Sequence, residues 1–368
     1  MYKNLKRALA RAFPTCALPL LLNALPIAGH AQATAAPLKV AFVYVTPVGQ
    51  AGWTYQHDLG RREMERALGN AVQTTVVEDV AEGPDAERVM RDLAANGQQL
   101  IFATSFGYLE GALRVAAEFP NVRIEHAGGY RTAANLNTYN VRAYEARWLA
   151  GRLAALNSKS GVAGYVAGFP VPEVVQGINA FALGMRSVNP KASVRVVWLN
   201  SWFDPARERD AALALVHQGA DVLTNHTASP AVATAAEASG VQLIANQSDM
   251  SAFAPHAQLA AVTPQWGAYY TQVARDVIAG HWKTQPVWGG LRSGMVTLSA
   301  LNAALPQAQR SAVDAARQSL IDGRSAVFAA PLSDNQGRVR LARGALADDA
   351  IAKMDWLVQG VVGQLPTP

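Results

Sequence analysis

The side chains best able to do chemistry in this 368-residue chain sit just after short apolar runs. "AGWTYQHDLG" (51–60) places Trp53, Thr54, Tyr55 and His57 directly after "KVAFVYVTPVG". Ser105, Phe106 and Tyr108 follow "LIFAT", and residues 126–130 close "VRIEHAGGY". Further along, Phe169 follows "GVAGYVAG", Asn200, Trp202, Phe203 and Asp204 follow "VRVVWL", and Asn225 and His226 end "ADVLTNH". Gln247 and Asp249 follow "VQLIA", while Gln265 and Trp266 follow "AVTP".

Taken singly, each has a bland explanation. A lone Trp after a strand caps a core, Asp204-Pro205 makes a helix N-cap with Pro at the first helical position, and Asp249 fixes a turn. Together they say more, because Trp53, Phe106, Trp202 and Trp266 come from four different runs. Flat aromatic faces suit a planar or ring-shaped ligand and lose little conformational freedom on ordering. The neighbouring Asn200, Asn225, Gln247 and Asp249 can read donors and acceptors on such a ligand's edge.

Signatures of covalent or metal chemistry are missing. There is no G-x-S-x-G, Walker A loop, H-E-x-x-H or G-x-G-x-x-G, and "GVAGYVAG" is only a loose glycine spacing. His57-Asp58 and Glu125-His126 are adjacent pairs, which diverge on a helix or strand and make poor metal ligands. We therefore expect a binding protein without catalytic residues, metal or cofactor.

The elements that would position these residues alternate. From Leu38, apolar runs (39–45, 74–80, 100–105, 122–128) alternate with helical patterns (57–68, 85–96, 108–118). After the amphipathic "YEARWLAGRLAALNS" a second series runs 161–168, 193–200, 220–226 and 241–247, with helices over 174–188, 205–218 and 231–239. Such alternation predicts α/β architecture: two parallel sheets covered on both faces. Ligands of open parallel sheets bind beyond the carboxyl ends of the strands, where these side chains fall. Further elements follow: "LAAVTPQ", a helix "GAYYTQVARDVIAGHW", a strand "MVTLS" and helices near 307–322 and 348–363. They suggest that the chain crosses back between the halves.

Residues 1–33 read as a cleaved signal peptide. Lys3, Lys6, Arg7 and Arg11 precede a short apolar stretch, and "GHAQA" offers cleavage after Ala31 or Ala33. Its removal takes four of the 32 Lys and Arg and none of the 27 acids, leaving 28 against 27. The basic balance thus belongs to the leader and argues for no nucleic-acid partner. Cys16, the single cysteine, leaves too, so the mature chain has no thiol.

With these segments in view, the chain resembles the basic membrane protein family of ABC-transporter substrate-binding proteins, relatives of the purine nucleoside receptor lipoproteins. The likeness runs from about Lys39 to Ala330 and rests on "GWTYQHDLG", "LIFATSFGY", "ARWLAGRLAA", "VRVVWLNSWFDPARERDAA", "GADVLTNH" and "ANQSDM". It implies a type I periplasmic-binding fold, with two Rossmann-like domains joined by three crossovers that close over the ligand. The domains would be 37–142 plus 258–287 and 143–257 plus 288–330, with 331–368 a C-terminal extension that ends in a helix. In the family's nucleoside-binding members two aromatic residues sandwich the base, and the matching positions are Trp53 and Trp202. Asp249 of "NQSDM" matches the acid that holds the ribose. The family's Asp-x-x-Phe-Asn pattern is replaced by "AGWTYQHD", and its ribose-binding lysine by Trp266 of "TPQW".

Exchanging a cation for an aromatic ring argues against ribose, so the implied ligand is a free purine base, adenine-like, ahead of an intact nucleoside. The expected binding set is Trp53, Tyr55, Ser105, Phe106, Tyr108, Phe169, Asn200, Trp202, Asn225, Asp249 and Trp266. The expected partners are that small molecule and an ABC permease in the inner membrane, served by a monomeric periplasmic receptor without a lipid anchor. Rival readings are a sugar receptor of the same fold, a receptor that signals to a sensor protein, or a nucleoside hydrolase. The hydrolase would use Asp58, Asp204 or Asp249 with His57 or His226.

Overall fold

The computed structural model describes residues 36–366, so the expected leader lies outside the described residues. Strand β1 (Leu38–Val43) is buried at all but one position, as a parallel strand covered on both faces must be. It leads into helix α1 (Trp53–Leu68), then β2 (Val72–Val77), α2 (Pro84–Ala95), β3 (Leu100–Ala103), α3 (Leu109–Glu118), β4 (Arg123–Ala127) and β5 (Leu136–Val141). The second series is α4 (Ala143–Asn157), β6 (Val162–Ala167), α5 (Pro172–Arg186), β7 (Ser193–Trp198), α6 (Pro205–His217), β8 (Val222–His226), α7 (Ala231–Ser239), β9 (Gln242–Asn246) and β10 (Gln258–Pro264). After these come α8 (Gly267–Ile278), β11 (Val287–Gly289), β12 (Val296–Ser299), α9 (Gln307–Ile321), β13 (Leu332–Ser333), β14 (Val339–Leu341), α10 (Asp348–Ala352) and β15 (Val361–Val362).

The strands form two separate sheets, β11-β5-β4-β3-β1-β2 and β12-β10-β9-β8-β6-β7-β15, plus the small β13-β14 hairpin. Within the two large sheets every pairing is parallel except that of β12 with β10. The chain crosses between the sheets three times: from β5 into α4, from β10 into α8, and from β11 into β12. From Pro37 onward both lobes belong to one compact unit.

Three expectations need correction. Residues 258–264, expected in the first domain, form β10, which pairs with β9 in the second sheet and fills it with seven buried residues. The return to the first lobe therefore starts at α8, which packs on α1. The third crossing falls after Gly289 rather than before Trp288, because Trp288 and Gly289 pair with β5. The helix expected near 348–363 stops at Ala352, since Val361 and Val362 pair with β7 as the last strand of the second sheet. Beyond the ranges expected from periodicity, β5 ("LNTYNV") is buried at all but one position despite its Asn and Thr content.

The segment after Pro331 is bound tightly to α5. Gln176 donates to Ile351 O at 2.8 Å, while Asn179 donates to Trp356 O at 2.7 Å and accepts from Val358 N at 2.9 Å. It acts as a strap that covers α5 and buries Met354, Leu357 and Val358. Among the described residues no helix is long and apolar enough to cross a membrane.

Candidate functional site: an aromatic cleft between the two sheets

The carboxyl ends of the strands of both sheets face one pocket. The first lobe lines it with Val45, Trp53, Ser105, Phe106, Ala127 and Gly128. The second contributes Val171, Glu173, Val174, Trp202, His226, Thr227, Ala228 and Gln247.

Each aromatic wall is held from behind. The Trp53 indole donates to Thr104 O at 2.6 Å and meets His57 edge-on, with ring centres 4.3 Å apart. His57 in turn lies flat on Trp266 at 4.8 Å and 9°. Across the cleft, Trp202 packs against Phe169 at 4.9 Å, and its backbone carbonyl accepts from Ala228 N at 2.8 Å. The 227–229 loop is tied down by the buried Glu208, which accepts from Thr227 Oγ1 at 2.8 Å and Ser229 Oγ at 2.7 Å.

The polar groups of the pocket keep hydrogen-bonding capacity in reserve. Glu173 accepts from Asn140 Nδ2 at 3.1 Å through Oε2, whereas its buried Oε1 has no hydrogen-bond partner. Trp202 Nε1 and His226 Nδ1 are likewise buried and unpartnered, a costly state unless a ligand satisfies them. Burial raises the Glu173 carboxyl above the ordinary glutamate range, with Asn140 and then the Arg147 charge opposing. Burial, and then Arg147, push His226 down to about 3, so its ring is neutral at physiological pH.

The lobes touch across the cleft. Gly52 N donates to Ser248 Oγ at 2.7 Å, and Gln56 Nε2 donates to Pro264 O at 2.7 Å. Together with Asn140 to Glu173, these bonds join the first lobe to the second in a closed arrangement.

Of the expected binding set, Trp53, Ser105, Phe106 and Trp202 line the pocket and Phe169 supports Trp202, while His226 and Gln247, noted at strand exits outside that set, line it too. The others of the set lie elsewhere. Tyr108 is fully buried because its hydroxyl donates to Val80 O at 2.6 Å. Asn225 turns its amide back onto Thr227 O at 3.0 Å, and Asn200 is exposed in a turn with φ 50°. Tyr55 and Asp249 line a separate open groove with Gln56 and Ser251. The Asp249 carboxylate there accepts from Ser251 N and Gln258 Nε2 at 2.9 and 2.7 Å. Trp266, 1% exposed, lies behind His57 rather than on the pocket surface. Glu173, by contrast, escaped the sequence reading, although it is the lone acid between residues 161 and 200 and sits in the first turn after a strand.

Residues 38–329 match the family Bmp, described as ABC transporter substrate-binding protein PnrA-like. The chain belongs to the Bmp family. A purine-binding protein of Brucella abortus is 45% identical over 92% of this chain and 96% of its own length. An ABC-transporter protein of Haloferax volcanii, named as glucose-binding, is 34% identical over 90% of this chain and 82% of that one. Among solved structures, an ABC-transporter solute-binding protein of Conexibacter woesei superposes with TM-score 0.65 at 22% identity, covering 78% of this chain and 98% of its own. One from Aeropyrum pernix gives 0.66 at 18%, covering 86% and 95%. This Bmp-family chain is therefore an ABC-transporter substrate-binding protein with the two-lobed architecture of periplasmic-binding folds.

Proposed function

We propose that the cleft takes a free purine base, adenine-like, and that the protein is the periplasmic receptor that delivers it to an inner-membrane ABC permease. The observation that carries the ligand class is the unpartnered, buried Oε1 of Glu173 in a pocket walled by Trp53, Phe106 and Trp202. A carboxylate beside flat aromatic faces accepts from the ring N–H and exocyclic amine of a stacked base. Asp249, the carboxylate matched to ribose binding, lies outside the pocket, which favours a base over a nucleoside. The relative from Brucella abortus, purine-binding by name, supports the same class.

No bond need be made or broken. The base docks between the aromatic walls, and contacts from the second lobe favour the closed state that the permease engages. Glucose is the competing ligand, because the Haloferax relative carries that name. Calorimetric titration of protein refolded without ligand, with adenine, guanine, adenosine, glucose and ribose, separates the readings. Tight binding of adenine without adenosine is expected. Binding of glucose alone would overturn the purine assignment.

A further inference from the structure

Behind the pocket lies a charge that is not part of its lining. Arg147 projects from α4 and is 0% exposed. Its guanidinium donates to Thr224 Oγ1 at 2.8 Å and to Asn225 O at 2.6 Å, and it lies 5.1 Å from the centre of the Tyr165 ring. Both hydrogen-bond acceptors are neutral, and Nε has none. A buried cation costs much stability unless an opposite charge stands near. Asn225 leads directly into His226, whose Nε2 lies 3.8 Å from Glu173 Oε1, so the Arg147 contacts end one residue from the pocket carboxylate.

We infer that Arg147 is a positioning and specificity residue: it anchors the β8 exit that presents His226, and its positive charge favours the ionised form of Glu173, so that the pocket selects bases offering N–H donors. This rests on the purine reading for its ligand class only. The charged or titratable groups facing Glu173 are Arg147 from α4 and His226 from β8, with Tyr165 of β6 beside the guanidinium; Asn140 of β5 is neutral. Burial and Arg147 hold His226 uncharged, as described above, leaving Arg147 as the compensating cation. Arg147 also packs on α5 one turn after Glu173, its Nε lying 3.8 Å from where a Cβ on Gly177 would stand, and its charge opposes the burial that raises the Glu173 carboxyl. Glu173 also sits in the first turn of α5, where the helix dipole favours a negative charge.

Removing the Arg147 charge raises the Glu173 carboxyl further. At a given pH more of it is protonated, and a protonated carboxyl opposes a donor with a donor. R147M should therefore bind adenine about tenfold or more weakly at neutral pH, with the deficit growing as pH falls. R147K, which keeps the charge, should retain most of the wild-type pH profile.

The test combines adenine calorimetry at a series of pH values with an infrared titration of the Glu173 carboxyl in ligand-free protein, assigned with E173Q. The inference predicts that the Glu173 carboxyl titrates at higher pH in R147M than in wild type. An unchanged titration, or wild-type adenine affinity and pH profile in R147M, would overturn it. If R147M does not fold, the same titration in R147Q, which keeps a polar side chain without the charge, decides: a Glu173 titration at higher pH than in wild type supports the inference and an unchanged one overturns it. Wild-type protein that binds no base, but whose Glu173 titration still depends on Arg147, would remove the purine reading while leaving the charge pairing in place.

Discussion

Gly52 and Ser248 join the two lobes: the Gly52 amide donates to the Ser248 hydroxyl at 2.7 Å across 196 residues of sequence. Gly52 has φ 93° and ψ −167°, a backbone region open in practice to glycine alone. A Cβ there would lie 2.1 Å from Ala228 O in the other lobe. Gly52→Ala thus penalises the closed state by strain of about 1–3 kcal/mol and by a direct clash. We expect a folded protein by circular dichroism with adenine affinity lowered tenfold or more. Wild-type affinity in this variant would show that closure does not need the contact.

Trp202 forms one wall of the pocket and is held by Phe169 on its far side. Trp202→Ala removes the stacking face and the free indole N–H together, so the ligand should bind about 2–4 kcal/mol more weakly, as at buried aromatic hot spots. Calorimetry measures this directly. An unchanged dissociation constant would exclude a sandwiched ligand.

Glu125 carries a pH-dependent cost away from the pocket. Burial raises its carboxyl to about 7 from the ordinary value near 4.5, although Tyr269, Trp282 and Asn137 all donate to it. Between those two values the unfolded chain has released the proton and the folded one retains it, so stability falls as pH rises through the window. The contribution is on the order of 3 kcal/mol and is complete above pH 7. Glu125→Gln should flatten this dependence and stabilise the protein at alkaline pH, as read by urea denaturation on either side of the window.

Asn179 pins the C-terminal strap to α5 through Trp356 O and Val358 N. Asn179→Ala leaves both strap groups without their protein partner, at roughly 1–3 kcal/mol each. We expect a lower denaturation midpoint and faster amide exchange in β15, whose Val361 pairs with Val194 of β7. Exchange at the wild-type rate would mean that the strap is held by its apolar contacts alone.

The alternation of strand and helix was legible because parallel strands are apolar throughout and their helices are periodic. Strand β5 was not, because its buried Asn137 is satisfied by long-range partners, Glu125 Oε2 for its amide and Gln285 N for its carbonyl, that no local pattern announces. In the site, strand exits located the pocket, but residue type did not settle which way each side chain points. Tyr108 and Trp266 turned inward to partners far along the chain, while Asp249 turned to its own loop and Gln258. Glu173 stayed hidden because it belongs to the helix start, two residues past the aromatic and apolar stretch that marks the exit of β6.

The three crossings also bear on how the chain reaches this fold. The edge strand β11 of the first sheet comes from residues 287–289, and β15 of the second from 361–362. Neither lobe is a contiguous piece of chain, so neither can be completed during synthesis until most of the polypeptide is available. Pairings this distant in sequence make folding slow, and they leave the edges of β5 and β7 open to unwanted partners until the late strands arrive.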